Sequence, residues 1–358
     1  MKKIIRLSLL ILLAFTGAGT ADANDGVYFA HGNQLIPIHE TDISVQKETL
    51  TITLGDDGYA AVDVYYEFFN HGKAKTVQMG FESMKPYNTT DELNPEGIHP
   101  YIKDFTVVMN GKQLSYHNAV VEPGLLDTPY TGPKDDRPKE FEQYAYAYCF
   151  EAYFQEGLNK VHHTYRYQIS YGVGRTFEVP YWLKPAARWK GGKIDDFTLR
   201  IRALNTAKHF ILADSLFTDH EFVVTEGKGK IRHSQYGWSP RLVEVALRNG
   251  TVEWHGKDFI PSDNINIQSA DTYIAFNDKY PVGSFYDRSE RYINWPPERK
   301  IPAEVARNLP FANRGYVFKK KSLKKLFSKF WWYMPDPSYH SSTEDFTPRE
   351  WRLLREGK

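Results

Sequence analysis

Cysteine is nearly absent: Cys149 is the only one in 358 residues. No intramolecular disulfide can form, so the chain must hold together through its core, and some 335 residues beyond the N-terminal leader are ample for that. Beyond that leader no apolar run is long enough to cross a bilayer. No internal repeat and no low-complexity tract occurs. A chain of this length is expected to hold two or three domains.

Recognisable catalytic constellations are missing too. The sequence has no His-Glu-x-x-His helix, no Gly-x-Ser-x-Gly elbow and no Walker loop. Cys149 with His162 or His163 is the one conceivable thiol–imidazole pairing. Its neighbours Tyr146, Tyr148, Phe150 and Tyr153 form an apolar setting that raises a thiol pKa, which favours a buried structural cysteine. His162 and His163 are adjacent, so on a strand they point to opposite faces and cannot chelate one ion. Gly227-Lys228-Gly229-Lys230 lacks phosphate-loop spacing and reads as a hairpin turn. Asp56-Asp57-Gly58 and Asp135-Asp136 are too short for a calcium loop, and Asn88-Thr89-Thr90 reads as surface loop. The expectation is therefore no catalytic residue, no metal ligand and no cofactor. A hydrolase with groups dispersed over strands and loops stands as the alternative.

The first 23 residues do carry a pattern. Lys2, Lys3 and Arg6 precede an apolar stretch over residues 7–15, then small residues and Ala21-Asp22-Ala23. This is the layout of a secretory signal peptide, with cleavage expected between Ala23 and Asn24. No cysteine sits at the junction, so the expected product is periplasmic or extracellular and not a lipoprotein. The remainder hides a charge split. Residues 299–358 hold 14 basic and 6 acidic side chains, a balance of +8, whereas residues 24–298 balance at −9. Such a split implies either an anionic partner for the tail or docking of the tail on its own body.

Residues 24–292 have the texture of β-structure. Leu50, Ile52 and Leu54 alternate with Thr49, Thr51 and Thr53, and Val62, Val64, Tyr66 and Phe68 alternate after the turn cluster Gly55-Asp56-Asp57-Gly58, which predicts a hairpin. Asn110-Gly111 predicts a second hairpin, and Asn249-Gly250 a third, joining Val243-Val245-Leu247 to Val252-Trp254. Further alternation marks Tyr165-Tyr167-Ile169-Tyr171 and Phe197-Leu199-Ile201. Aromatic residues at 15% suit cross-strand pairing. The fold class is mainly β: one or two β-sandwich-like antiparallel domains, then a small α-helical module. Residues 121–138 read as a loop, residues 141–154 fit helix and buried strand alike, and residues 293–301 read as the linker to a module over 302–358.

In that module Ser322 is placed to cap a helix whose apolar positions are Leu323, Leu326, Phe327 and Phe330. Thr347-Pro348-Arg349-Glu350 marks the start of a closing helix, with Phe346 and Trp351 set as a hydrophobic staple. Lys319, Lys320, Lys321, Lys324, Lys325 and Lys329 would form a basic face, a solvated surface in the plainest reading and a contact for acidic polymer, lipid headgroup or nucleic acid in the sharper one. Trp331 and Trp332 cannot face the same way, so whichever is exposed is the leading contact residue.

Arg307-Asn308, Phe311-Ala312-Asn313-Arg314-Gly315, Tyr316-Val317-Phe318 and Trp332-Tyr333 follow one another as in the YARHG domain, a small extracytoplasmic bacterial module, which this region resembles. Alanine and glycine of the motif match, while Phe311, Asn313 and Arg314 replace its tyrosine, arginine and histidine. Gly315 is expected at a tight turn or helix end. Residues 24–280 show a diffuse resemblance to secreted bacterial proteins of unknown function, through Asn24-Asp25, Tyr66-Glu67-Phe68-Phe69-Asn70, His163-Thr164-Tyr165 and the segment from Trp189 through Ile194 to Phe197. Together these features imply an exported envelope protein, non-enzymatic, whose basic module binds a cell-wall glycan or another envelope protein; nucleic acid is not expected. The further alternative is a purely structural tail docked on the acidic body.

Overall fold

The computed structural model describes residues 23–31, 34–38, 40–84, 96–121, 145–171, 177–204, 207–217, 220–234, 241–269, 285–287, 291–293, 303–346 and 348–356. Most of the expected leader, Asn88-Thr89-Thr90, Asp135-Asp136 and residues 294–301 of the expected linker lie outside them.

Five strands close into one sheet: β1 (Ala23–His31), β2 (Gln34–Ile38), β5 (Lys75–Met84), β8 (His117–Val121) and β9 (Ala145–Phe154), in the order β1-β2-β8-β9-β5, with β1 returning to β5. Strand β9 settles the ambiguous segment 141–154 in favour of strand over its described part. A twelve-stranded sheet takes the rest of the body. Its first half comprises β3 (Ile43–Leu54), β4 (Tyr59–Asn70), β6 (Ile102–Met109), β7 (Lys112–Gln113), β10 (Gly157–Gln168) and β11 (Ser170–Tyr171). Its second half comprises β12 (Phe177–Tyr181), β13 (Ile194–Ala203), β14 (Lys208–Ala213), β15 (Val223–Ser234), β16 (Leu242–Phe259) and β17 (Ile265–Ser269). Pairing is antiparallel except between β3 and β13 and between β2 and β8. A separate short ladder joins β18 (Phe285–Asp287) to β19 (Arg291–Ile293).

Alternation decides which faces meet. Tyr66, Phe68 and Asn70 of β4 all point inward and are buried. Phe68 packs on Trp189 at 4.6 Å and on Phe154 of β9 at 5.6 Å between ring centroids, and Phe81 of β5 packs on Tyr165 of β10 at 4.6 Å. The inner faces of the two sheets thus share one core in the sandwich-like manner expected. Two of the four stretches singled out in the body, residues 66–70 and 189–197, meet there through Phe68 and Trp189.

Two of the three predicted hairpins form. Strands β3 and β4 turn through Gly58 at φ +84°, and β6 and β7 turn through Asn110 and Gly111 at φ +49° and +81°. The third is corrected. Asn249, at φ +44°, lies inside the single long strand β16, as does Gly250. Residues 242–247 pair with β14 and residues 250–259 with β13, so Asn249-Gly250 is the bend where one edge of β16 passes from one neighbour to the next. Strand β15 follows the other edge past the bend by inserting bulges beside Glu226. Gly227-Lys228-Gly229-Lys230 therefore belongs to a bulged edge strand and not to a hairpin turn.

Three helices follow: α1 (Ala303–Asn313), α2 (Lys321–Phe327) and α3 (Pro348–Glu356). Leu323 and Phe327 are buried as the spacing predicts and Leu326 is half-buried, but the helix ends at Phe327, so Phe330, expected as its fourth apolar position, is buried from beyond its end; Lys320, not Ser322, occupies the N-cap and offers no side-chain cap bond. The closing helix starts at Pro348, and the Phe346–Trp351 staple is formed with rings 5.9 Å apart.

At Gly227 (φ +69°) an added Cβ would strike the Asn249 carbonyl group. Gly227→Ala is expected to destabilise the chain by roughly 2 kcal/mol, read as a lower urea midpoint at unchanged slope; a hairpin-tip glycine open to solvent would give less.

Candidate functional site: the seam between body and module

The motif-like residues turn out to be architectural. Tyr316 N–H donates to the Phe311 carbonyl at 2.9 Å and Gly315 N–H to the Ala312 carbonyl at 2.9 Å, with Gly315 at φ +84°. This is a Schellman end to α1, sealed by contact between the Phe311 and Tyr316 rings. Arg314 is buried, donates to both carboxylate oxygens of Glu350 at 2.5 and 3.0 Å, and also reaches the Pro310 and Asp345 carbonyls. Glu350, in the first turn of the closing helix, ties α3 to the end of α1.

The same turn faces the body. Arg248, one residue before the bend in β16, sends its guanidinium to the Arg314 carbonyl and, at 3.1 Å, to the Asp336 carboxylate. It is only 5% exposed, and burial pulls its pKa below the usual arginine value against the opposing Asp336 charge. Lys228 of β15 pairs with the same carboxylate at 2.7 Å. Ala207 N–H donates to the Asn313 carbonyl, and Ala246 of β16 joins the apolar cluster of the module. Any Cβ at Gly315 would collide with the Arg248 guanidinium, so the motif glycine serves the helix end and the docking together.

Next to this contact, Lys230 and Arg232 of β15 face Lys329, Trp331 and Tyr333 across a cleft of about 520 Å³. Lys230 Nζ donates to the Trp331 and Tyr333 carbonyls at 2.9 and 3.1 Å, and burial lowers its pKa from the ordinary lysine value. Arg232 is held by Glu244 at 2.6 Å and lies 4.5 Å over the Trp331 ring, with the His209 ring 5.2 Å from it.

Lys319, Lys320, Lys321, Lys324, Lys325 and Lys329 are all exposed, and only Lys329 lines the cleft; Lys320 pairs with Glu304. Trp331 is half-buried at the seam, while Trp332 is buried and stacked on Phe330 at 5.5 Å. Ala23 and Asn24 stand in β1, opposite Ser83 and Glu82. Arg232, Arg248 and His209 carried no signal in the sequence; Lys230 did, inside the Gly-Lys-Gly-Lys run. Cys149 is fully buried, and His163 is buried while His162 is exposed beside Asp63 at 3.1 Å. No group of three or more His, Cys, Asp or Glu among the described residues could hold a metal ion, and no described helix is long and apolar enough to cross a membrane.

Two tests follow the geometry. Arg314→Leu takes the two guanidinium bonds from the buried Glu350 and should destabilise the chain by about 3 kcal/mol, with part recovered in Arg314→Leu/Glu350→Leu, both read by urea denaturation. Hydrogen bonds from Lys228 and then Ser338 hold the Asp336 carboxyl below its ordinary 3.8. A depressed carboxyl stabilises above the unfolded-state value and loses that contribution as pH falls through the folded-state one. Docking should therefore be constant from about pH 5 to 8 and weaken below about pH 4. Small-angle scattering would show the expansion, and Asp336→Asn would remove this part of the pH dependence.

Among solved structures, a Legionella pneumophila protein provisionally named nutrient binding aligns over 95% of this chain and 100% of its own, at 18% identity and a TM-score of 0.52, which shows a shared fold. An M1 zinc metallopeptidase from Deinococcus radiodurans aligns over 66% of this chain and 46% of its own, at 7% identity and a TM-score of 0.28. No curated protein sequence matches the chain. Residues 299–357 match the YARHG domain, so the helices that follow the β-body form a domain of that family near the C-terminus.

Proposed function

We propose that this chain is an exported, non-enzymatic protein of the cell envelope whose YARHG domain binds an acidic cell-wall glycan. The observation that carries the reading is the exposure of all six lysines while other residues make the docking bonds. Docking on the body uses Arg248, Lys228, Asp336 and backbone carbonyls, so Lys319, Lys321, Lys324 and Lys325 stay turned to solvent on a module held in place. A basic face of this kind attracts polyanions over a Debye length of about 8 Å at physiological salt. The signal-peptide layout of the first 23 residues supports the compartment. The nutrient-binding name of the Legionella protein points in the same direction, toward binding.

Co-sedimentation of the mature chain with purified peptidoglycan tests this. Retention should fall at high salt and drop at least about tenfold in Lys324→Glu/Lys325→Glu, since two charge reversals act on a multivalent contact. Capture of an envelope protein with no retention on peptidoglycan would overturn the glycan reading.

A further inference from the structure

The cleft at the seam has a composition that the lysine face lacks. Two cations from β15, Lys230 and Arg232, meet a third, Lys329, from the module, beside the aromatic wall of Trp331 and Tyr333. Among the described residues the lining side chains include no carboxylate; Glu244 lies behind Arg232, is itself buried, and fixes the guanidinium over the Trp331 ring. His209, tilted against Trp331, is the other titratable group packed on that ring.

We infer that this cleft is a binding site for the anionic group of an acidic sugar, and that it exists only while body and module are docked. The inference rests on the envelope-glycan reading and deepens it by naming where a charged residue of the polymer is recognised. Three features support it. Lys230 spends two of its three donors on the Trp331 and Tyr333 carbonyls, so its ammonium is already fixed and one donor remains to be directed. Fixing a lysine before the ligand arrives removes ordering cost that a free surface lysine must meet on binding. Arg232, which also lines the cleft, is held by Glu244 at 2.6 Å and by the Trp331 ring 4.5 Å away, so a second cation is oriented before any anion arrives. The volume, about 520 Å³, falls in the range of small-ligand sites and admits one or two sugar rings, not a folded partner. A bare inorganic anion would leave the aromatic wall unused. A pyranose bearing a carboxylate or phosphate presents charge to the cations and C–H surface to the rings.

Isothermal titration of the full mature chain at low salt with glucuronate, glucose 6-phosphate and glucose tests the site. Both acidic sugars, or one of them, should bind at least about tenfold tighter than glucose, and the tighter of the two identifies carboxylate or phosphate as the source of charge. Lys329→Glu, an exposed position, should weaken that binding about tenfold or more. Lys112→Glu, in β7 at the far edge of the large sheet, should leave it unchanged. Equal binding of glucose and the acidic sugars, or acidic-sugar binding indifferent to Lys329→Glu, overturns the inference. Retention on peptidoglycan without acidic-sugar binding overturns the cleft alone, whereas loss of both overturns the envelope-glycan reading as well.

Discussion

One buried guanidinium organises this molecule. Arg248 leaves β16 next to the bend at Asn249 and Gly250 and ends against the Arg314 carbonyl and the Asp336 carboxylate. Burying that charge is tolerable only if its donors are met, and they are met by the module. The bend in β16 follows from the exchange of β14 for β13 along one edge, and the glycine in the motif-like turn supplies the room at the other end. A strand register in the sheet and a helix end in the module are therefore matched to each other through one side chain. The cleft with Lys230 and Arg232 is a by-product of that match, since both residues sit on the edge strand that follows β16 around its bend.

Net charge gives the opposite impression. An acidic body and a basic tail suggest that tail lysines meet body carboxylates. At the seam the body supplies Lys228, Lys230, Arg232 and Arg248, and the tail supplies Asp336 and carbonyl oxygens. The sum of charges governs long-range attraction, whereas docking is settled by a few desolvated hydrogen bonds at fixed positions. The consequence is functional: docking does not consume the lysines, so the module stays basic toward solvent.

Local physics was legible in the chain, and non-local pairing was not. Alternation and turn residues located β3, β4, β6, β10 and β13, because each depends on neighbours within one hairpin or on a face pattern of period two. Asn249-Gly250 carries the same turn chemistry as Asn110-Gly111 and also places its asparagine at positive φ, yet it bends a strand. What separates the two outcomes is the supply of partners: β14, β13 and β15 converge on β16 and keep it straight enough to pair on both sides. Site residues divide along the same line. Lys329 and Trp331 stood out within their own segment, whereas Arg232 and Arg248 gain meaning only from the module, far along the chain: Arg248 meets Arg314 and Asp336 across 66 and 88 positions, and Arg232 lies over the Trp331 ring.

The departures from the YARHG motif can now be understood position by position. Ala312 is buried and Gly315 abuts Arg248, so the two positions that agree with the motif are those where a larger side chain has no space. Phe311 needs only a ring to pack on Phe346 and Tyr316, which makes the missing hydroxyl immaterial to this packing. Arg314 in place of histidine changes more. A histidine facing Glu350 would gain and lose its charge near neutral pH, whereas a guanidinium stays charged and meets the carboxylate through two parallel bonds. The bond that closes α1 onto α3 is thus bidentate and does not depend on the charge of an imidazole. In this chain the Arg314 side chain closes the module on itself, while its carbonyl and the bare Cα of Gly315 receive the guanidinium of the body.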